Sequence, residues 1–148
     1  MIENEELLSI IPHRGRMLLL SRIINYNGED KSIEAEFVIK EDCLFYDPEF
    51  SGVPAWAGFE FIAQAISAFV GIRDMGKKIR KMGYILGISH MRIELPFFKT
   101  GSIIKIKANE VGGMDPVYVF DGQIIIDDKI VIEGKLTVMD VYDEQFMS

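Results

Sequence analysis

The feature that most constrains this chain is an apolar stretch from Trp56 to Ile72, which Glu60, Gln64 and Ser67 interrupt. Its composition predicts a helix from about Ala55 to Met75. The stretch barely reaches the roughly 20 residues that a helix needs to cross a bilayer. A helix on a protein surface would show a wider polar stripe than these three side chains provide. We therefore expect a core helix that other elements enclose.

The rest of the chain reads mainly as β-strands. Segments of alternating or continuous apolar character predict six strands, which cover 17–26, 31–40, 82–94, 102–111, 117–127 and 129–142. Turn sequences separate two pairs of them, at 27–30 and at Asp127-Asp128. An antiparallel meander is the simplest connection. The sequence thus predicts one α+β domain over residues 1–148, a curved antiparallel sheet that wraps one central buried helix.

Composition excludes several classes of function. The net charge of -7 and the pI of about 4.8 oppose binding to nucleic acid or to an anionic membrane. An acidic carrier protein would be attracted only if the basic run at 77–81 formed a local patch. The single cysteine, Cys43, allows no internal disulfide, and no Cys/His cluster has metal-ligand spacing. The first eleven residues lack a signal-peptide pattern, so we expect a cytoplasmic protein. We also expect that it binds no metal or cofactor.

Three motifs in order along the chain carry a family resemblance. They are Ile11-Pro12-His13-Arg14 with the following 17–23 segment, then Pro54 with Gly58 to Ala65, and then Leu86-Gly87-Ile88 with Arg92, Pro96 and Gly101. Together they resemble the β-hydroxyacyl-(acyl carrier protein) dehydratases in their hot-dog form. The sequence pattern around Trp56 is most similar to that of a divergent subgroup of predicted dehydratases.

The resemblance implies removal of water from a 3-hydroxyacyl thioester. In such proteins a histidine before the helix and an acidic residue on it share the proton transfers, often across a dimer interface. Glu60 matches the acidic position, and burial would raise its pKa and help it act as an acid. Backbone N–H groups at the helix start, those of Ala55, Gly58 and Phe59, are expected to polarise the substrate carbonyl. Gln64 is expected to hold the site together, or else to be a hydrogen-bonded core amide.

The histidine expected about fourteen positions before Glu60 is missing from this chain. Tyr46 stands at that spacing and could donate a proton. Packing on the core is the preferred explanation of this loop tyrosine, because an ordinary tyrosine is a poor base. His90 is a second candidate for the proton transfer, with a surface or core position as the alternative. Further candidates are Asp47, Glu49 and Cys43, which turn formation or packing would also explain. His13 is expected to be structural, and Arg14 and Arg92 to pair with acids.

Three functions follow from this reading. The first is a 3-hydroxyacyl thioester dehydratase, a lyase of fatty-acid or polyketide-type metabolism, that acts on substrate bound to acyl carrier protein or CoA. The second is an acyl thioesterase that uses the helix carboxylate and no histidine. The third is a non-catalytic partner that binds acyl thioesters and whose half-site a different hot-dog chain completes. We expect a homodimer or larger oligomer, or a hetero-oligomer with another hot-dog subunit.

Overall fold

The computed structural model describes residues 1–10, 15–77 and 81–142. Two helices lie within these ranges, α1 (Asn4–Ile10) and α2 (Gly58–Arg73). The strands are β1 (Ile2–Glu3), β2 (Arg22–Asn27), β3 (Ser32–Val38), β4 (Gly52–Pro54), β5 (Lys81–Ile93), β6 (Phe97–Lys99), β7 (Ile103–Met114), β8 (Val117–Ile126) and β9 (Lys129–Tyr142). Single 3₁₀ turns occur at Gly15–Met17 and Ala55–Ala57.

Seven strands form one antiparallel sheet in the order β1-β2-β3-β7-β8-β9-β5. The predicted meander is correct for β7, β8 and β9 but wrong for β5, which pairs with β9 rather than with β7. After β5 the chain passes through β6, which pairs with β4 in a separate small sheet, and then enters β7 beside β3. As a result β5 is an edge strand.

Helix α2 packs against the inner face of this sheet, as the apolar stretch predicted. Its window from Ala55 to Arg73 has a mean hydropathy of 1.4, enough to suggest a membrane span by composition, but 72% of it is buried within the fold. Two facing glycines, Gly122 and Gly134, let the helix approach closely. A Cβ on Gly122 would lie 2.5 Å from Ile62, and one on Gly134 would lie 3.0 Å from Phe59.

The C-terminal end of α2 is fixed by charge. The Arg73 guanidinium bonds to the buried carboxylates of Asp74 and Asp140, each at 3.0 Å, and Lys77 also contacts Asp74. Burial alone would lower the pKa of Arg73, but these two carboxylates outweigh burial and raise it. The ion pairs therefore join the helix end to β9. Of the basic run at 77–81, Lys78 and Arg80 lie outside the described residues.

The N-terminal segment differs from the expectation of a strand over 17–26. A 3₁₀ turn ends at Met17 and the strand begins only at Arg22. Helix α1, which was not predicted, packs on α2 where Gly71 lies against the carbonyl of Ile10. The turn at 27–30 is as predicted, since the Asn27 side chain accepts hydrogen bonds from the N–H groups of Glu29 and Asp30. Asp127 and Asp128 both have positive φ, as a tight hairpin turn requires.

Candidate active site at the start of helix α2

The start of α2 is held by the segment that follows β5. Strand β4 pairs with β6 just before the helix, and the N–H of Ala55 donates to the carbonyl of Pro96 at 2.9 Å. Two ring contacts attach the loop before β4, with Phe45 edge-on to Trp56 and Phe50 stacked on Phe97 at 4.2 Å. Trp56 and Phe50 nevertheless remain 57% and 53% exposed. The contacts with β6 and with the loop before β4 thus fix the start of α2, whereas the side that carries Trp56 is open to solvent.

Glu60 lies in the first turn of α2 and is exposed. The expectation of a buried carboxylate is therefore wrong for the single chain. The cause is orientation: Trp56, Glu60, Ala63 and Ser67 follow one another at helical spacing and form the stripe that the sheet leaves uncovered. Within the described residues the Glu60 carboxylate makes no hydrogen bond or ion pair. It is free to bind a substrate or a partner group.

The backbone donors differ from those expected. The N–H of Ala55 is bonded to Pro96, and the N–H of Gly58 is bonded within the 3₁₀ turn, to the carbonyl of Ala55. Neither is available to polarise a thioester carbonyl. Between them, the N–H of Trp56 has no acceptor among the described residues, and it lies one turn before Glu60. Trp56 was missed because the sequence does not show where a 3₁₀ turn joins the helix.

Gly58 and Phe59, both predicted to contact substrate, are buried against the sheet. A Cβ on Gly58 would lie 2.7 Å from Ile132, so this glycine serves close packing. Phe59 is 8% exposed and its ring lies beside Gly134, which also adjoins Ile88 and Ser89 of β5. The helix start consequently lies next to the middle of the edge strand.

Gln64 is 4% exposed and its amide is bonded at both ends. Oε1 accepts from the N–H of Leu19 at 2.7 Å, and Nε2 donates to the carbonyl of Met17. Of the two roles expected for it, the hydrogen-bonded core amide fits these contacts. The side chain fixes the segment before β2 against the helix.

Tyr46 is half-buried and packs against the core, and no hydrogen bond joins it to Glu60 within the described residues. Its neighbours in the loop have structural contacts. Asp47 accepts a hydrogen bond from the N–H of Glu49 and forms a bridge with Gly52. Cys43 is 5% exposed, and burial raises the pKa of its thiol, which disfavours the thiolate that nucleophilic chemistry needs.

His90 occupies a bulge in β5 with φ of 53°. It lines a shallow depression of about 240 Å³ together with Asp121, Gln123 and Lys135. These side chains alternate with the buried residues that face α2, so the depression is on the outer face of the sheet. The structure does not bring His90 to Glu60. Arg92 pairs with Glu94 and Glu133, as expected, whereas His13 and Arg14 lie outside the described residues.

A curved antiparallel sheet around one long helix defines a hot-dog protein, and solved structures agree on this fold. The dehydratase heterocomplex ApeI:P from Xenorhabdus doucetiae superposes with a TM-score of 0.82 and 23% identity, over 95% of this chain and 93% of that chain. A thioesterase from Haemophilus influenzae superposes with a TM-score of 0.62 and 14% identity, over 81% of this chain and 77% of that one. At these identities the matches show the fold alone.

Sequence comparison identifies the family. The ApeP-like family model, described as ApeP dehydratase, matches residues 5–148. The 3-hydroxyacyl-acyl-carrier-protein dehydratase FabZ of Campylobacter fetus is 31% identical over 146 residues, which are 94% of this chain and 97% of the relative. FabZ of Chlamydia trachomatis serovar D is 26% identical over 148 residues, with 95% and 93% covered. The chain belongs to the ApeP-like dehydratase family, and the prediction of a divergent hot-dog dehydratase is confirmed.

Proposed function

We propose that this protein acts in the removal of water from a 3-hydroxyacyl thioester carried by an acyl carrier protein, with Glu60 as a proton-transfer group. The observation that carries the proposal is the carboxylate of Glu60, one turn after the N–H of Trp56, neither of which has a hydrogen-bond partner among the described residues. The FabZ relatives bear the name of this reaction. The compartment that best fits a chain with one buried thiol is the cytoplasm.

The geometry suits the negative charge that develops in the reaction on two atoms, the thioester carbonyl oxygen and the leaving 3-hydroxyl oxygen. A thioester carbonyl at the N–H of Trp56 would meet the positive end of the α2 dipole, which stabilises an enolate-like oxygen. The 3-hydroxyl group would then lie toward Glu60, whose carboxyl group donates a proton as the C3–O bond breaks. A base takes the C2 proton as the C2–C3 double bond forms, and water and the enoyl thioester are the products.

The experiment incubates the protein, in its native assembly, with a 3-hydroxyacyl thioester of acyl carrier protein and identifies the product by mass spectrometry. We expect the enoyl thioester, and we expect Glu60→Gln to lower its rate of formation by about 10²–10⁴-fold, the usual contribution of a general acid. Glu29→Gln, at an exposed turn far along the chain from the site, is the matched control. Release of free thiol in place of the enoyl product would show hydrolysis and refute the proposal.

A further inference from the structure

A pocket of about 210 Å³ lies between the segment that precedes β2 and the loop that follows β3. Three hydrogen bonds join its two walls. The N–H of Ser21 donates to the carbonyl of Glu36 at 2.8 Å, and the N–H of Val38 donates to Oγ of Ser21 at 3.2 Å. Nε of Arg16 donates to the carbonyl of Asp42, also at 3.2 Å. The fold therefore holds this pocket in shape.

Two cationic side chains line the pocket and have hydrogen-bonding capacity to spare. The terminal nitrogens of Arg16 and the ammonium group of Lys40 make no hydrogen bond or ion pair with any residue that the structure describes. Oγ of Ser21 accepts its bond from Val38, so the hydroxyl proton of Ser21 is still available to donate. Two cations beside a hydroxyl donor form the kind of group that binds an oxyanion such as phosphate.

A negative group lines the same pocket. The buried thiol of Cys43 reports on the charges around it: burial raises the pKa of the thiol, the carboxylate of Asp42 raises it further, and the guanidinium of Arg16 lowers it. Both charges therefore act on the interior of the pocket. A ligand that complements both has an anionic group for Arg16 and Lys40 and, close to it, a hydroxyl group that donates to Asp42.

The pocket adjoins the first two turns of α2. Leu18 lines it and belongs to the short segment that the Gln64 amide binds. Phe37 lines it as well, with its ring centroid 5.2 Å from that of Phe61. Phe61 and Gln64 follow Glu60 directly and by one turn, so the pocket lies beside the carboxylate proposed to transfer the proton.

The spacing between the pocket and the thioester position fits the arm that carries an acyl group. Trp56 and Gln64 are about 12 Å apart along α2 at the usual helical rise. Acyl carrier proteins and CoA both attach the acyl group through 4′-phosphopantetheine, whose chain from sulfur to phosphorus is about as long as five extended residues, about 16 Å. This arm also has a hydroxyl group close to its phosphate. Its length and its polar groups therefore match the pocket.

We propose that Arg16 and Lys40 bind the phosphate group of the 4′-phosphopantetheine arm, while the hydroxyl group of the arm donates to Asp42. The inference rests on the proposed function and extends it, because it assigns the residues that recognise the arm rather than the acyl group. Binding of the phosphate here directs the thioester toward the N–H of Trp56. It also provides local attraction for an anionic substrate on a chain whose net charge is -7.

Isothermal titration calorimetry with 4′-phosphopantetheine tests the site without turnover. We expect Arg16→Gln and Lys40→Gln each to weaken binding by about 10-fold or more, the effect of losing a charge-assisted hydrogen bond. Lys105→Gln removes the same charge from an exposed position between two buried residues of β7, and it should leave the affinity unchanged. Pantetheine, which lacks the phosphate, should bind wild type and Arg16→Gln equally. Circular dichroism checks that each variant is folded.

Three results of this titration would overturn the inference. One is the absence of detectable binding to the wild type, and another is equal affinity of the wild type and both pocket variants. The third is inorganic phosphate that binds as tightly as 4′-phosphopantetheine, because the pocket would then be a site for free anions.

Kinetics with two substrates separate this inference from the proposed function. The native assembly receives the same 3-hydroxyacyl thioester on pantetheine and on 4′-phosphopantetheine. We expect Arg16→Gln to raise KM by about 10-fold for the phosphorylated substrate alone, with kcat unchanged. An equal change in KM for both substrates, or no change, would overturn the inference and leave the proposed function intact. Absence of the enoyl product from both substrates would refute the proposed function, and the titration would still decide whether the site exists.

Discussion

Two polar side chains one turn apart on α2 have opposite surroundings. Gln64 is enclosed by the segment from Met17 to Leu19 and bonded at both ends of its amide. Glu60 is exposed and has no partner within 1–10, 15–77 and 81–142. A side chain that already has its partners serves structure, whereas a carboxylate without partners is available for chemistry.

The Gln64 side chain links α2 to the segment before β2. Gln64→Met keeps the volume but leaves the N–H of Leu19 and the carbonyl of Met17 unpaired in the interior. We expect a loss of about 1–3 kcal/mol in the free energy of unfolding, the cost of a buried polar group without a partner. Urea denaturation measures it. Gln123→Met, on the outer face of the sheet, should stay within about 0.5 kcal/mol of wild type, and equal effects of the two substitutions would contradict this role.

The family resemblance predicted Glu60 as a site residue from its position in a motif. The sequence also showed directly that the expected histidine is absent. Its exposure was not predictable, because helical periodicity shows that Glu60 and Gln64 share a face but not which of them the chain will cover. The same limit explains the backbone donors. The N–H of Ala55 is bonded to Pro96, a residue 41 positions away that no local pattern connects to it.

At the scale of elements, the fold depends on close approach between helices and strands. Helix α1 meets α2 at Gly71, where a Cβ would lie 2.3 Å from the carbonyl oxygen of Ile10. Strand β5 carries two bulges and a left-handed His90, which twist it at the free edge. The shape of this edge therefore depends on individual residues, and the alternation pattern that predicts a strand does not show where such bulges occur.

Gly71→Ala tests the contact between the helices. In an ordinary helix interior this change stabilises by about 1 kcal/mol, but here the new methyl group meets backbone. We expect a destabilisation of about 1–3 kcal/mol, typical of overpacking, measured as a lower Tm by calorimetry. Gly87→Ala is the control, since a Cβ there has no atom within 4 Å. A Tm that rises in Gly71→Ala would refute the close approach.

Long elements were predictable and short ones were not. The alternation along β7, β8 and β9 and the apolar run of α2 each extend over enough residues to establish a period. Helix α1 and strands β1, β4 and β6 have two to seven residues each. Tertiary pairing rather than local propensity forms elements of that length. The position of β5 beside β9 likewise depends on the crossover, which strand patterns leave open.

For the whole molecule, the single chain encloses its core but leaves the start of α2 and the edge of β5 uncovered. Exposed apolar surface of this kind is typical of a region that contacts another protein chain. The acidic net charge of -7 also bears on delivery of substrate, because an acidic carrier protein would be repelled at long range by this chain.

The central claim is that the Glu60 carboxyl group transfers a proton rather than merely binding substrate, and separate measurement of kcat and KM for Glu60→Gln tests it most directly. In the active assembly we expect kcat to fall by about 10²–10⁴-fold, while KM changes little, because glutamine keeps the shape and hydrogen-bonding capacity of the side chain. An unchanged kcat, or a rise in KM alone, would contradict the claim.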